Sequence, residues 1–380
     1  EDEMRGFINW YFGDFKMKNF TVFLSILSFI LLSIEIRGEQ DLRIINPKPD
    51  PNAKDVFTEL VLLKEINDGF RKEQPNYFAR ISSICVDDEG NLYVADGKHK
   101  TIFKFSKDGE FIKTIGREGQ GPGEFMDEFM EISFGNDKKI YVVDNVRLKI
   151  IVYGKDGEFI KELKSPFFML SRRDKVAVNR KGEIYLYSLG GLKVIDKFDS
   201  NMKLKESFFD RDILKEITFY KPKDWLTTDA VTSPRYISKV ITPDDHLLVM
   251  FPYSQRVMEI DEEGNIVKDF YFRHPRFLRE YKEEIKEIEK EEGFKEEGKT
   301  FYPFPAACCR HIFLDGYGNI CIPWRGPIYR YSRDGKFIDI LVYRKTPPIY
   351  SDKGAAFKDR FYFARGLINI GIFSIMEVNK

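Results

Sequence analysis

The 380-residue chain has no charge of either sign to spare, since 61 Lys and Arg offset 61 Asp and Glu. Without a net cation to displace counterions from a phosphate backbone, nucleic acid is not an expected partner. Cysteine is scarce, and Cys85, Cys308, Cys309 and Cys321 include no C-x-x-C pair that would present two thiolates to one metal ion. A chain of this length buries a large core without disulfides, so inert buried thiols are expected, with a single disulfide through Cys321 as the competing reading. Histidine is equally sparse: His99, His246, His274 and His311 are scattered and show no H-E-x-x-H spacing. No G-x-S-x-G nucleophile elbow occurs either. The sequence therefore carries no recognisable catalytic set.

Apolar runs long enough to span a bilayer are also missing. Phe20 to Ile34, broken only by Thr21, Ser25, Ser28 and Ser33, falls short of the roughly 20 residues a spanning helix needs. With Lys16 and Lys18 before it, the run matches the core of an export signal. Residues 17–38 are read as a signal peptide or anchor, because Ile36-Arg37-Gly38 departs from the small-x-small pattern of a cleavage site. Residues 1–16 are read as upstream sequence before a start at Met17. Residues 39–56 contain Asn46-Pro47-Lys48-Pro49-Asp50-Pro51 and are read as a linker. The expected location is extracytoplasmic (periplasmic, secreted or membrane-anchored), with membrane contact only if the N-terminal segment stays uncleaved.

What the chain has in plenty is aromatic residues, 35 Phe and 19 Tyr, which suit half-buried pleated surfaces. From Ile81 onward one pattern recurs. In its clearest copy Ile84-Cys85-Val86 leads through a polar turn to Leu92-Tyr93-Val94-Ala95-Asp96, then Thr101 to Phe105, then the turn Lys107-Asp108-Gly109-Glu110 and Phe111-Ile112-Lys113. A second copy, Ile140-Tyr141-Val142-Val143-Asp144 with Lys155-Asp156-Gly157-Glu158-Phe159-Ile160-Lys161, follows 48 positions later. Weaker copies pass through Ile184-Tyr185-Leu186, His246-Leu247-Leu248 and Ile320-Cys321-Ile322, and a sixth around Phe361-Tyr362-Phe363 stops short of its last strand. Each copy predicts four antiparallel strands, and such units must stack to cover their faces. Thr58 to Ile66 is the expected donor of the missing strand, which closes the ring. Gly116-Arg117-Glu118-Gly119-Gln120-Gly121-Pro122-Gly123-Glu124-Phe125, together with Leu92 to Asp96, resembles the NHL-repeat family of six-bladed β-propellers. The resemblance covers roughly residues 57–380, is sharp in the first two copies, and implies an all-β six-bladed propeller of four-stranded antiparallel blades.

In that arrangement the loops between second and third strands, and those between blades, share one face. The long insertions 209–235, with Trp225, and 273–307 fall on it, and Glu280 to Glu292 reads as a short solvated helix. Side chains near this mouth are the site candidates. Arg80, Arg147, Arg235, Arg256, Arg310, His311, Trp324, Arg325 and Arg365 are the expected ligand-binding set, because grouped guanidinium groups favour an anionic ligand. Ion pairing between blades is the competing use of these arginines. Asp96, Asp144 and Asn145 could supply oxygen ligands to Ca²⁺, although a carboxylate at a strand end more often caps loop amides. The leading expectation is a binding scaffold without a cofactor, holding a protein, peptide or glycan on the long-loop face. The alternative is a metal-dependent, lactonase-like hydrolase or lyase at the central channel, an analogy at fold level.

Overall fold

The computed structural model of the protein describes residues 54–67, 78–165, 175–188, 192–215, 237–252, 254–272, 274–276, 294–296, 299–301, 311–324, 326–343, 353–365 and 369–375. The segments expected as upstream sequence and export signal, and the expected helix at 280–292, lie outside them. Among the described residues no helix is long and apolar enough to cross a membrane.

The repeat copies fold as sheets whose strands run in order from the innermost to the outermost position. Blade one comprises Ile81–Val86, Leu92–Asp96, Thr101–Phe105 and Phe111–Ile115, and blade two Glu131–Phe134, Lys139–Asp144, Lys149–Gly154 and Phe159–Lys164. Blades three, four and five begin at Ala177–Val178, Ser238–Ile241 and Phe313–Leu314, and blade six contributes Gly354–Phe357, Arg360–Arg365 and Asn369–Ile375. The local cause is the turn between third and fourth strands. Gly109 and Gly157 sit at φ +77° and +83°, a conformation that glycine adopts without strain. Directly before each such turn the ladder slips by one residue, at Lys104/Phe105, Val152/Tyr153, Lys197/Phe198, Glu259/Ile260 and Arg330/Tyr331. This is the bulge expected of a hairpin that ends in a left-handed residue, a glycine in four of these turns and Met202 (φ +66°) in blade three.

The N-terminal strand Phe57–Asn67 pairs antiparallel with Asn369–Ile375, from Leu60 opposite Ile375 to Asn67 opposite Asn369. Its first residues also run parallel to the outer strand of blade five, Phe57 opposite Ile340 through Leu60 opposite Tyr343. Blades five and six thereby share one eight-stranded sheet. A hairpin, Phe294–Glu296 with Lys299–Phe301, forms within the 273–307 insertion.

Apolar side chains fill the spaces between neighbouring blades rather than one common centre. Tyr93, Ile102, Ile132, Val142 and Ile151 pack between blades one and two, and Leu248, Phe270, Ile322 and Tyr329 between blades four and five. Ile66, Ile84, Leu92, Tyr362 and Ile372 join blade six to blade one. Burying each sheet on its neighbour is the main stabilising term, at about 25 cal/mol per Å² of apolar surface removed from water. Cys85 and Cys321 are free thiols buried in these interfaces, and burial pushes Cys85 up to about 12. Cys308 and Cys309 lie outside the described residues.

Candidate functional site

At the long-loop face the acids expected as metal ligands hold backbone. Asp96, fully buried, ends the second strand of blade one and accepts hydrogen bonds from the amides of Ala79 (2.6 Å), Arg80 (3.2 Å), Lys98 (2.9 Å) and His99 (3.0 Å). His99 Nδ1 lies 3.2 Å from the same carboxylate. Asp144, at the corresponding place in blade two, accepts from the amides of Met126 (2.8 Å) and Arg147 (3.0 Å). Asn145 donates its own amide and Nδ2 to Asp127, both at 3.0 Å. Asp127, which the sequence did not single out, is thus the third cap of this mouth. Close approach of the loops also explains Gly97, where a Cβ would lie 1.7 Å from the Glu128 carbonyl oxygen.

The described arginines of the expected ligand set are each held by the protein itself. Arg80 donates to Glu128 at 3.0 Å and lies over the Phe129 ring at 4.1 Å. Arg147 donates to the Glu124 and Gln120 carbonyls and pairs with Glu162 at 2.9 Å. Arg256 makes a two-pronged bond to Asp269, at 2.7 and 2.5 Å. These groups are spread over blades one, two and four and do not form one cluster. Trp324, expected in the ligand-binding set, is instead 2% exposed and packs between blades four and five with Met250, Phe272 and Ile312. Arg235, Arg310, Arg325 and Trp225 lie outside the described residues, as does the side chain of Arg365.

A polar set at the propeller axis has no counterpart in the sequence reading apart from His311. The strand registers place Ser83, Glu131 and Ser238 at equivalent positions of the innermost strands of blades one, two and four, opposite Ala95, Val143 and Met250. Counting back from Ala177, Phe313 and Gly354 assigns Lys175, His311 and Lys353 to the same level of blades three, five and six. Four of the six reach the next blade. Ser83 Oγ accepts from the Ile132 amide (3.2 Å) and Ser238 Oγ from the Ile312 amide (3.0 Å). His311 Nε2 lies 3.0 Å from the Gly354 carbonyl oxygen, and Lys353 donates to that of Ile81 at 2.7 Å. Lys175 departs from this pattern, since it skips blade two and donates at 2.9 Å to the Ile84 carbonyl of blade one. An innermost strand has no neighbour on its axial side, so its outward-turned carbonyls need such donors.

The opposite face is drawn together by its turns. Asn136 of blade two donates to the Thr242 carbonyl (2.9 Å) and to Asp245 (2.5 Å) of blade four, and the Arg180 amide of blade three also reaches Asp245. Further out, Asp244, His246 and Glu259 bring three ligand-type atoms within 4.8 Å of one another. Arg333 bonds both carboxylates of that group, and with Thr242 it holds Asp244 well below the usual range against the opposing effect of burial. In blade three burial alone would raise Glu183, yet hydrogen bonds from Lys205, Asn179 and Lys197 outweigh it and hold the carboxyl at about 2. Such a depressed acid stabilises the fold at pH values above its unfolded pKa, and the contribution fades as pH falls from about 4.5 through about 2. Glu183→Gln is therefore expected to lower stability at pH 7 and to flatten the acid limb of a denaturation profile. An unchanged limb would contradict this assignment.

A family profile described as a 6-bladed beta-propeller matches residues 73–302. No curated protein sequence matches the chain. Among solved structures, a member of the duf4221 family from Bacteroides vulgatus is similar at 13% identity and a TM-score of 0.52, covering 85% of this chain and 99% of that one. A virginiamycin B lyase from Staphylococcus aureus is similar at 14% identity and a TM-score of 0.48, with 83% and 99% covered. A Bacteroides fragilis protein named as exported is 12% identical, with a TM-score of 0.49 and 84% and 100% covered. At these identities the likeness is one of fold.

Proposed function

Because the chain belongs to the DUF5128 family of 6-bladed beta-propellers, we propose that it is an exported, NHL-like binding scaffold that holds a protein, peptide or glycan ligand on its long-loop face. The observation that carries this reading is the use made of the acids at that mouth. Asp96, Asp127 and Asp144 spend their oxygens on loop amides, which makes the part of that face built by blades one and two a rigid scaffold rather than an open set of cation ligands. Export rests on Lys16, Lys18 and the apolar run Phe20 to Ile34. The metal-dependent hydrolase or lyase is the weaker reading, since a cation at Asp96 or Asp144 would have to displace those amides.

The test uses the purified protein on two arms. An immobilised panel of peptides and glycans is expected to capture the wild type, with capture lost when residues 277–307 are replaced by a short Gly-Ser segment. A panel of esters and lactones with Ca²⁺, Mg²⁺ or Zn²⁺ is expected to remain unconverted. Metal-dependent turnover would overturn the proposal, as would capture that survives the replacement.

A further inference from the structure

We propose that Asp244, His246 and Glu259 form a binding site for a divalent transition-metal ion of the zinc class, taken up in exchange for the Arg333 guanidinium that bridges the two carboxylates. The site belongs to blade four and to the turn face, so it stands independently of the ligand surface on the opposite face. Among the described residues this is the one group in which three ligand-type atoms lie within 4.8 Å of one another. The turn between the first two strands of blade four fixes two of them. Thr242 Oγ1 accepts from the His246 amide and the Thr242 carbonyl from the Asp245 amide, both at 3.0 Å. Asp245 itself takes φ +66° and gives its carboxylate to Asn136 and the Arg180 amide. His246 Nδ1 then lies 2.7 Å from Glu259 Oε1, on the third strand, and 3.9 Å from Asp244 Oδ2. Donors bonded to a tetrahedral zinc ion at about 2.0–2.1 Å stand roughly 3.3 Å apart, so small side-chain rotations bring these three to one ion. Two carboxylates balance the charge of a dication, and the imidazole nitrogen favours the zinc class over Ca²⁺ and Mg²⁺, which take oxygen ligands. Coordination through Nδ1 places the ring proton on Nε2, which no described residue engages.

The second observation is what the arginine leaves unbonded. Arg333 donates to both Asp244 oxygens, at 2.7 and 3.2 Å, and to Glu259 Oε1. Its own Nε and the other Glu259 oxygen, Oε2, are nevertheless buried without a hydrogen-bond partner, in a cluster where Glu259 is 1% exposed. Lys268 stands 3.9 Å from Oε2, beyond hydrogen-bond reach, and lies closer to Asp334, at 3.2 Å. A buried donor and a buried acceptor left unpaired both cost free energy. A metal ion can engage either Glu259 oxygen, and a displaced guanidinium returns its Nε to water. Exchange is open from the solvent side, since the Asp244 side chain is 50% and that of His246 27% exposed. Arg333 also reaches in on a flexible stem from a blade-five turn, unlike the backbone amides that hold Asp96 and Asp144. All three ligands come from blade four, so the ion and this tie between blades four and five exclude one another, and each weakens the other by the same factor.

The experiment strips the purified full chain with a chelator and titrates it with Co²⁺ and then Zn²⁺, followed by absorption spectroscopy and calorimetry. The wild type is expected to take up one Co²⁺ per chain, with visible d–d bands and no near-ultraviolet thiolate band, and to release it to Zn²⁺ but not to Ca²⁺. The absent thiolate band separates this site from any built on the cysteines. His246→Ala is expected to weaken binding at least tenfold. Arg333→Gln is expected to strengthen it at least tenfold, an effect that a merely structural ion pair would not produce. Failure of the wild type to take up stoichiometric metal would overturn the proposal whichever variants fold. So would a thiolate band, uptake that His246→Ala leaves unchanged, or equal affinities of the wild type and Arg333→Gln.

Discussion

Truncating Leu60 to alanine is expected to destabilise the protein by about 2–5 kcal/mol, and Leu60→Asp to prevent cooperative folding altogether. Leu60 is fully buried where three elements meet. It lies in the N-terminal strand, opposite Tyr343 of blade five on one side and Ile375 of blade six on the other. Its side chain packs with Phe313, Ile328, Leu341, Phe361, Phe363 and Phe373, the apolar contact between those two blades. The alanine variant leaves a cavity there, and the aspartate variant places a carboxylate with no cationic partner among those six side chains. Thr58 adds a polar tie, since its hydroxyl donates to Asp339 at 2.5 Å, and Arg330 grips the same carboxylate. Urea denaturation reports the alanine variant directly. A loss under about 1 kcal/mol would mean that the strand contributes little to holding blades five and six together.

Asp96→Ala should cost about 3–5 kcal/mol, since one buried carboxylate serves four backbone donors and its removal leaves them facing a methyl group. Asp144→Ala removes an acceptor from two donors and should cost about half as much. Asp96→Asn keeps one carbonyl-type oxygen and should fall between wild type and alanine. The ordering matters more than the absolute values. If the two acids were ligands to a metal instead, both alanine variants would abolish metal binding and change metal-free stability little, so equal denaturation midpoints for wild type and both variants would contradict their role as caps.

Much of this architecture was legible in the chain because it is written in local chemistry. Asp-Gly turns state where third and fourth strands meet, and the 48-residue interval between Leu92 and Ile140 states the period. The donor strand expected at 58–66 is observed at Phe57–Asn67, paired with Asn369–Ile375 as anticipated. Its parallel contact with Phe337–Tyr343 was not foreseen, because a short parallel bridge between blades leaves no turn or spacing in sequence. Asp96 and Asp144 were readable as caps, each an acid that closes an apolar strand before a tight loop.

The axial set was hidden for a different reason. Its members are Ser, Glu, Lys, Ser, His and Lys, so no residue type marks the position in more than two blades, and the strands that carry them are as short as the two residues of Ala177–Val178. Only the pairing register brings them to one level. Trp324 was misread because a Trp near the end of a strand can serve a surface or a core, and here the gap between blades four and five takes the indole. The pairing of the described arginines is invisible in the sequence, because sequence order cannot show Glu128, Glu162 and Asp269 lying beside Arg80, Arg147 and Arg256.

Every part of this account requires the N-terminal strand to complete the sixth blade in one register, since otherwise the innermost strands would not surround a common axis. The most direct test pairs Val61→Cys with Ser374→Cys, positions that face one another across the two strands. Mild oxidation followed by peptide mass mapping is predicted to find a disulfide joining positions 61 and 374, formed without loss of folded protein. Finding those two thiols unlinked, or bonded to the native cysteines instead, would contradict the closure.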